Sequence, residues 1–250
     1  MDWMDQGLVL SVRRHGESSV VATLLTAGHG RHAGLVRGGQ SRRLRGVLQP
    51  GNLVSATWRA RLEEHLGSFA LELDKSLAAP LLPHADRLAA LGALCALVDT
   101  GLPEREHHPA LFDNTAAMIT ALDTGDDSWM PYYVQWELDF LRELGFGLDL
   151  SRCAATGGAE ELVYVSPKSG CAVSRAAGAP YRDRLLTLPG FLIGEAPDDP
   201  ANTQAEILDG LSLTGYFIDK HVYAAHDRPM PQARDRLVQI LRRRFGQISG

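Results

Sequence analysis

Ser19-Val-Val-Ala-Thr-Leu-Leu-Thr26, Ala27-Gly-His-Gly30 and Arg31-His-Ala-Gly-Leu-Val-Arg37 decide how the first third of this chain is read. β-Branched and aliphatic residues fill the two flanking runs, and the Gly-containing tetrapeptide between them is turn chemistry, so the stretch predicts two strands and a turn. Working outward, Gly7 to Arg13 reads as an earlier strand, broken by Arg14-His15-Gly16-Glu17. On the other side Gly38-Gly39 opens a loop that holds Arg42, Arg43 and Arg45. Val54, Ala56 and Trp58 then alternate with Ser55, Thr57 and Arg59 as a fourth strand, and a fifth fits Gly67 to Leu73. Five short strands with Gly-rich turns predict a small β-barrel, for which the OB-fold is the commonest five-stranded choice.

From Pro83 the apolar period changes to that of helices. Leu88, Leu91, Leu94, Cys95 and Val98 share a helical spacing, as do Leu111, Thr115, Met118, Ile119 and Leu122. Trp129, Tyr132, Tyr133, Trp136, Phe140, Leu141 and Leu144 form an aromatic-rich stripe that stops at Gly145. Residues 151–178 return to strand and turn character, and helices are expected from Gln204 to Tyr223 and from Pro231 to Phe245. The predicted class is therefore α+β and multidomain: a barrel over residues 1–80, a helical domain over 81–150 and 179–250, and a small β insert over 151–178 between its two parts.

The 250 residues carry a net charge of −5, unevenly placed. From Met1 to Leu62, nine arginines stand against Asp2, Asp5 and Glu17, a net of +6, which leaves −11 for the rest. A basic front on an acidic body suggests one face built for polyanions. The longest apolar run, Leu88 to Val98, is too short to span a bilayer. Met1 to Gly7 contains acids and no Lys or Arg, which is the wrong start for a secretory signal, so a cytoplasmic location is expected. Three scattered cysteines make no disulfide framework.

Catalytic templates fail. There is no His-Glu-x-x-His, Gly-x-Ser-x-Gly, Walker or dinucleotide-binding motif, and the Gly28-x-Gly30 region punctuates strands without opening a helix. His107 and His108 read as a solvated helix start, and His221 and His226 as surface positions. No catalytic residue and no cofactor are expected. Arginine's planar fork suits phosphate oxygens, so Arg13, Arg14, Arg31, Arg37, Arg42, Arg43 and Arg45 are the candidate DNA-binding set. Aromatics for base stacking are scarce beside them (Trp58 and Phe69), which favours phosphate-dominated, sequence-tolerant binding. Cys153 and Cys171 are each half of a zinc knuckle, because Thr156 and Ser174 hold the partner positions, and no metal is expected there.

The segments Gly7 to Arg13, Gly16-Glu17, Thr26 to Gly30, Gly38-Gly39 and Leu48-Gln-Pro-Gly51 resemble the amino-terminal domain of the RecO recombination mediators. Trp136-Glu-Leu-Asp-Phe-Leu-Arg-Glu-Leu-Gly-Phe-Gly-Leu-Asp-Leu150 is similar to that family's mid-chain helix and its exit, and Tyr164 to Ser174 looks like its zinc-ribbon-derived insert. The resemblance implies an OB-fold, then a helical domain interrupted by a zinc-ribbon-like insert. It also implies a DNA repair protein that binds single- and double-stranded DNA and anneals complementary strands, with RecR and the carboxy-terminal tail of the single-stranded-DNA-binding protein as partners. Such a protein helps RecA replace that binder, with a nucleoid-associated location. The aromatic helix near Arg142 is where that tail would be sought. The family's four-cysteine zinc site, carried by some members, is put in doubt by Thr156 and Ser174. Two rivals stand beside this reading: an OB-fold module for RNA, and a metal-dependent nuclease. Against the nuclease counts the lack of clustered Asp, Glu and His in the basic half.

Overall fold

Each of the five runs read as strands forms one. The strands are β1 (Asp2–His15), β2 (Ser19–Thr26), β3 (Gly30–Val36), β4 (Leu53–Arg59) and β5 (Ser68–Lys75), and in this computed structural model they close into a barrel in the order β1-β2-β3-β5-β4. The structure describes residues 1–195 and 200–248. β1 is long enough to pair with β2 through one half and β4 through the other, and a bulge between Val9 and Ser11 re-aims it. Closure comes from the parallel pairing of β3 and β5 at Leu35 and Ser68. The interior holds Val9, Ala22, Leu24, Val36, Val54, Trp58, Phe69 and Leu71. Gly34 lies under Phe69, where a Cβ would come within 2.4 Å of its Cδ2, so only glycine fits there.

The segment expected as a loop after Gly38-Gly39 is a short helix, α1 (Arg42–Val47). Ser41 caps it through a hydrogen bond from the Leu44 N–H to its Oγ, and Leu44 and Leu48 bury their side chains in the barrel cluster. Sequence periodicity missed it because a single helical turn carries too few apolar positions to show a period.

Residues 1–125 form one compact unit together with Pro231–Leu237, so the contacts of the barrel extend past residue 80. The reason is α2 (Ala85–Gly101), which packs on β1 and β2. Leu8, Leu10 and Leu25 lie outside the interior cluster yet are at most 3% exposed, so the barrel has an apolar outer face that needs cover. α2 supplies Leu91, Leu94, Cys95 and Val98, all buried. Burial first, and Asp99 second, push the Cys95 thiol up to about 12, which makes it an inert core residue. α3 (Pro109–Ala121) completes the unit, burying Leu111, Phe112, Thr115, Met118 and Ile119. His108, expected in solvent, is instead buried where the chain enters α3.

The second unit spans Asp126–Met230 and Val238–Gly250. Its α4 (Trp129–Glu143) buries Trp129, Tyr133, Trp136 and Phe140, while Tyr132 is exposed. The helix ends before Gly145, whose φ of 83° is the left-handed stop expected of it. α6 (Pro200–Ile218) packs on α4, where the buried Glu137 accepts a hydrogen bond from Thr214 Oγ1. The β insert is a three-stranded antiparallel sheet in the order β7 (Ala172–Ser174), β6 (Leu162–Val165), β8 (Leu186–Thr187). Its third strand lies past residue 178, the boundary expected from sequence; two residues are too few for an alternating pattern to register. Between β7 and β8 lies a one-turn helix, α5 (Arg175–Gly178), and α7 (Gln232–Ile248) ends the chain. Among the described residues no helix is long and apolar enough to cross a membrane.

Candidate nucleic-acid interface

The basic set is organised by the segment between β3 and α1. Gly38 has a φ of 65°, which turns the chain sharply, and Gly39 then passes so close to Val20 that a Cβ would meet its Cγ2 at 2.5 Å. Gln40 follows and ties the segment to the β1–β2 hairpin. Its N–H donates to Ser18 O at 3.1 Å, and its side-chain amide donates to Gly16 O and Ser19 O. The buried Asn52 holds the other end of α1, donating to Gly46 O at 2.8 Å and accepting the Ala78 N–H. Arg42, Arg43 and Arg45 are therefore on a braced helix, and Arg13 and Arg14 on the hairpin that Gln40 anchors to it.

All of these arginines, and Arg37, are exposed, and none of the six makes an ion pair among the described residues. Their charge is open to an external anion. Two clefts collect it. One, of about 600 Å³, is lined by Arg37, Arg43 and Arg59 over Phe69 and Leu71, with Glu72 as its single acid. The other, of about 260 Å³, is lined by Arg14 and Arg45 with Val12, Val20 and Leu48. Arg59 was not among the expected residues. The alternation of β4 already places it on the outward face, which was the signal that could have found it.

Arg31 is placed differently from the other six. Its side chain is only 15% exposed, its Nε donates to Leu102 O at 2.9 Å, and its guanidinium lies 3.6 Å from Asp99 and 3.5 Å from Glu104. Its charge is used inside the protein, joining β3 to the end of α2. Nothing local in the sequence announces this, because the two acids are some 70 positions away in the chain.

Trp58 and Phe69 are also committed to the fold. Trp58 is 1% and Phe69 5% exposed, and Trp58 Nε1 donates to Leu66 O. They form a box with Trp3 around His32, whose ring centroid is 4.8 Å from that of Trp58 and 5.1 Å from that of Trp3. Among the described residues neither ring nitrogen of His32 has a hydrogen-bond partner. Burial first, then the electrostatic influence of Arg105 and His29, lower its pKa to about 4, so it is a neutral packing residue. His29 stacks on Trp3 at 4.1 Å and bonds to Asp5.

Against this geometry, residues 1–73 match the family model described as recombination protein O N terminal, and residues 83–228 match the one for recombination protein O C terminal. The chain belongs to the RecO family. It is 55% identical over 245 residues to the DNA repair protein RecO of Rhodospirillum centenum, covering 97% of this chain and 96% of that one. It is 53% identical over 247 residues to the DNA repair protein RecO of Rhodospirillum rubrum, with 97% of each chain covered. The Methylocella silvestris protein of the same name is 52% identical over 234 residues, with 94% of this chain and 93% of that one covered.

The zinc knuckles found in some RecO proteins do not fit the donor set of this chain. Cys153 is 2% exposed; its sulfur accepts the Ser174 N–H at 3.2 Å and lies 3.5 Å from Ser174 Oγ. Burial pushes this thiol up, but hydrogen bonds with the Ser174 and Thr156 hydroxyls and from the Ser174 and Ala155 amides outweigh it and bring the thiol down to about 6. Thr156 and Ser174 thus converge on the Cys153 sulfur through hydrogen bonds, and hydroxyls are poor ligands for a soft tetrahedral cation. Cys171 is half-buried and its sulfur lies 3.6 Å from Ser169 O. In the same unit His221, expected at the surface, is stacked on Phe146 at 4.7 Å and lies parallel to Phe217.

Proposed function

We propose that this RecO-family chain is a DNA repair mediator. It binds single- and double-stranded DNA through the basic face of an OB-type barrel, anneals complementary strands and, with RecR, helps RecA replace the single-stranded-DNA-binding protein on the nucleoid in the cytoplasm. The observation that carries this reading is the set of exposed arginines gathered around α1 (Arg13, Arg14, Arg37, Arg42, Arg43 and Arg45), none of which makes an ion pair among the described residues. Family membership and the names of the relatives support it.

Annealing asks for no catalytic residue. Two phosphate backbones repel, arginines between them lower that repulsion, and base pairing supplies the drive. Because Trp58 and Phe69 are buried, base stacking contributes little and binding rests on phosphate contacts, which tolerate any sequence. The test is acceleration of pairing between two complementary oligonucleotides coated with single-stranded-DNA-binding protein, across a salt series. Acceleration that fades with salt supports the reading. No acceleration at low salt, together with tighter binding to RNA than to DNA of matched sequence, would replace it with the RNA-module reading.

The acidic, Phe-ended tail of the single-strand binder is proposed to dock on the second unit. α4 offers it little, since its aromatics other than Tyr132 are buried. A better match is the exposed Tyr216 and Phe146 with Lys220, whose ammonium lies 5.6 Å from the Tyr216 ring. A tail peptide that binds the intact protein, and loses affinity with Lys220→Glu, supports that placement.

A further inference from the structure

The basic residues around α1 do not make one groove. The larger cleft is walled by β4 and β5 and contains Arg37, Arg43 and Arg59, while the smaller is walled by β1 and β2 and contains Arg14 and Arg45. Their linings share no residue. α1 contributes Arg43 to the first and Arg45 to the second, and two residues along an α-helix are separated by about 200° around its axis. The two guanidinium groups therefore leave opposite flanks of the same helix.

We infer that α1 is a divider between two phosphate tracks, so that one chain holds two single strands at once, one on each flank. This rests on the DNA-binding reading above and gives the annealing activity a geometry. A helix with its side chains is about 10–12 Å across, and charges in about 0.15 M salt are screened over about 8 Å. Strands on opposite flanks are thus far enough apart to escape most of their mutual repulsion, yet close enough for bases to meet over the exposed crest. Arg42, exposed on that helix, is available to either backbone.

The buried anchors make the divider rigid. Leu44 and Leu48 fix its underside, Asn52 its end, and Gln40 fixes the smaller cleft's hairpin to it. A mobile loop with the same arginines would collapse onto a single strand and neutralise it with both sets. A braced helix keeps the two sets facing apart.

The experiment counts strands per chain. A fluorescent oligothymidine of about eight nucleotides, short enough for one track, is titrated at low salt into the full-length protein at concentrations well above the dissociation constant. Two oligonucleotides per chain are expected. Arg14→Glu with Arg45→Glu should bind one, as should Arg37→Glu with Arg43→Glu, and each double variant should lose annealing while keeping single-strand binding. The neutral versions (Arg→Gln at the same positions), with melting temperatures matched to the parent, guard against misfolding. One oligonucleotide per chain in the unaltered protein, weakened by both variants, overturns the divider and leaves DNA binding intact. Two per chain with neither pair removing one also overturns it. No binding at all by the unaltered protein would sink the DNA reading along with it.

Discussion

The side-chain amide of Gln40 donates to the carbonyl of Ser19 at 3.2 Å, and the same nitrogen reaches Gly16 O. An uncharged residue thereby fixes where the charged ones stand, because it ties the Arg13–Arg14 end of β1 to the segment that starts α1. Gln40→Ala should cost about 1 kcal/mol of stability, since the two carbonyls can turn to water. It should also weaken DNA binding a few-fold while leaving the salt slope unaltered, as every phosphate-binding arginine is still present. A slope that changes in a salt titration would show that Gln40 itself touches DNA.

Arg42→Glu combined with Arg43→Glu should lower DNA affinity sharply and flatten the dependence of log K on log salt by about 0.7 to 0.9 for each phosphate no longer neutralised. Both side chains are exposed and unpaired, so thermal stability should be unaltered. Unchanged slopes would remove α1 from the binding surface.

Arg31→Gln should behave in the opposite way. It removes a cation from beside Asp99, whose side chain is 14% exposed, and breaks the hydrogen bond to Leu102 O. Stranding a largely buried carboxylate costs about 3 kcal/mol; the more exposed Glu104 adds little. Denaturant unfolding should show that loss, with the DNA salt slope of the folded protein preserved. A stable variant with a flatter slope would return Arg31 to the DNA-binding set.

His32, held near pKa 4 in the fold, has an ordinary value of 6.5 when unfolded. Between those values the unfolded chain takes up a proton that the folded one refuses, so stability falls as pH drops through that window. His32→Phe, which keeps an aromatic ring in the box, should flatten the profile of unfolding free energy between pH 6.5 and 4. A variant as acid-sensitive as the parent would place the sensitivity elsewhere.

Cys153 works on the alkaline side. Its folded value of about 6 lies below the ordinary thiol value of 9, so its stabilisation is complete above 9 and is lost as pH falls through 6. Cys153→Ala should flatten unfolding profiles across that range, and chelators should leave the melting temperature of the parent unaltered. A melting temperature that drops on chelation and recovers with zinc would refute the hydrogen-bonded account of this site.

Much of the molecule was legible before it was folded, and for a local reason. The apolar run of β2, the alternation in β4, the glycine turns, the helical spacing of α2 to α4 and the stop at Gly145 are decided by neighbours within a few residues, so pattern alone gave most element types and pointed to a five-stranded barrel. The concentration of arginine before residue 62, and the loss of two ligands from the knuckles at Thr156 and Ser174, were equally plain. What only tertiary structure decided depends on distant partners. Arg31 and Arg37 look alike in the chain, yet Asp99 and Glu104 neutralise one and leave the other open. Trp58 and Phe69 look like stacking platforms until closure of β3 on β5 turns them inward. The helix α1, too short to carry a period, acquires its structure from the burial of Leu44 and Leu48 and the bonds of Asn52. Composition places the charge on this half of the molecule, and long-range burial decides which arginines remain free to meet a phosphate.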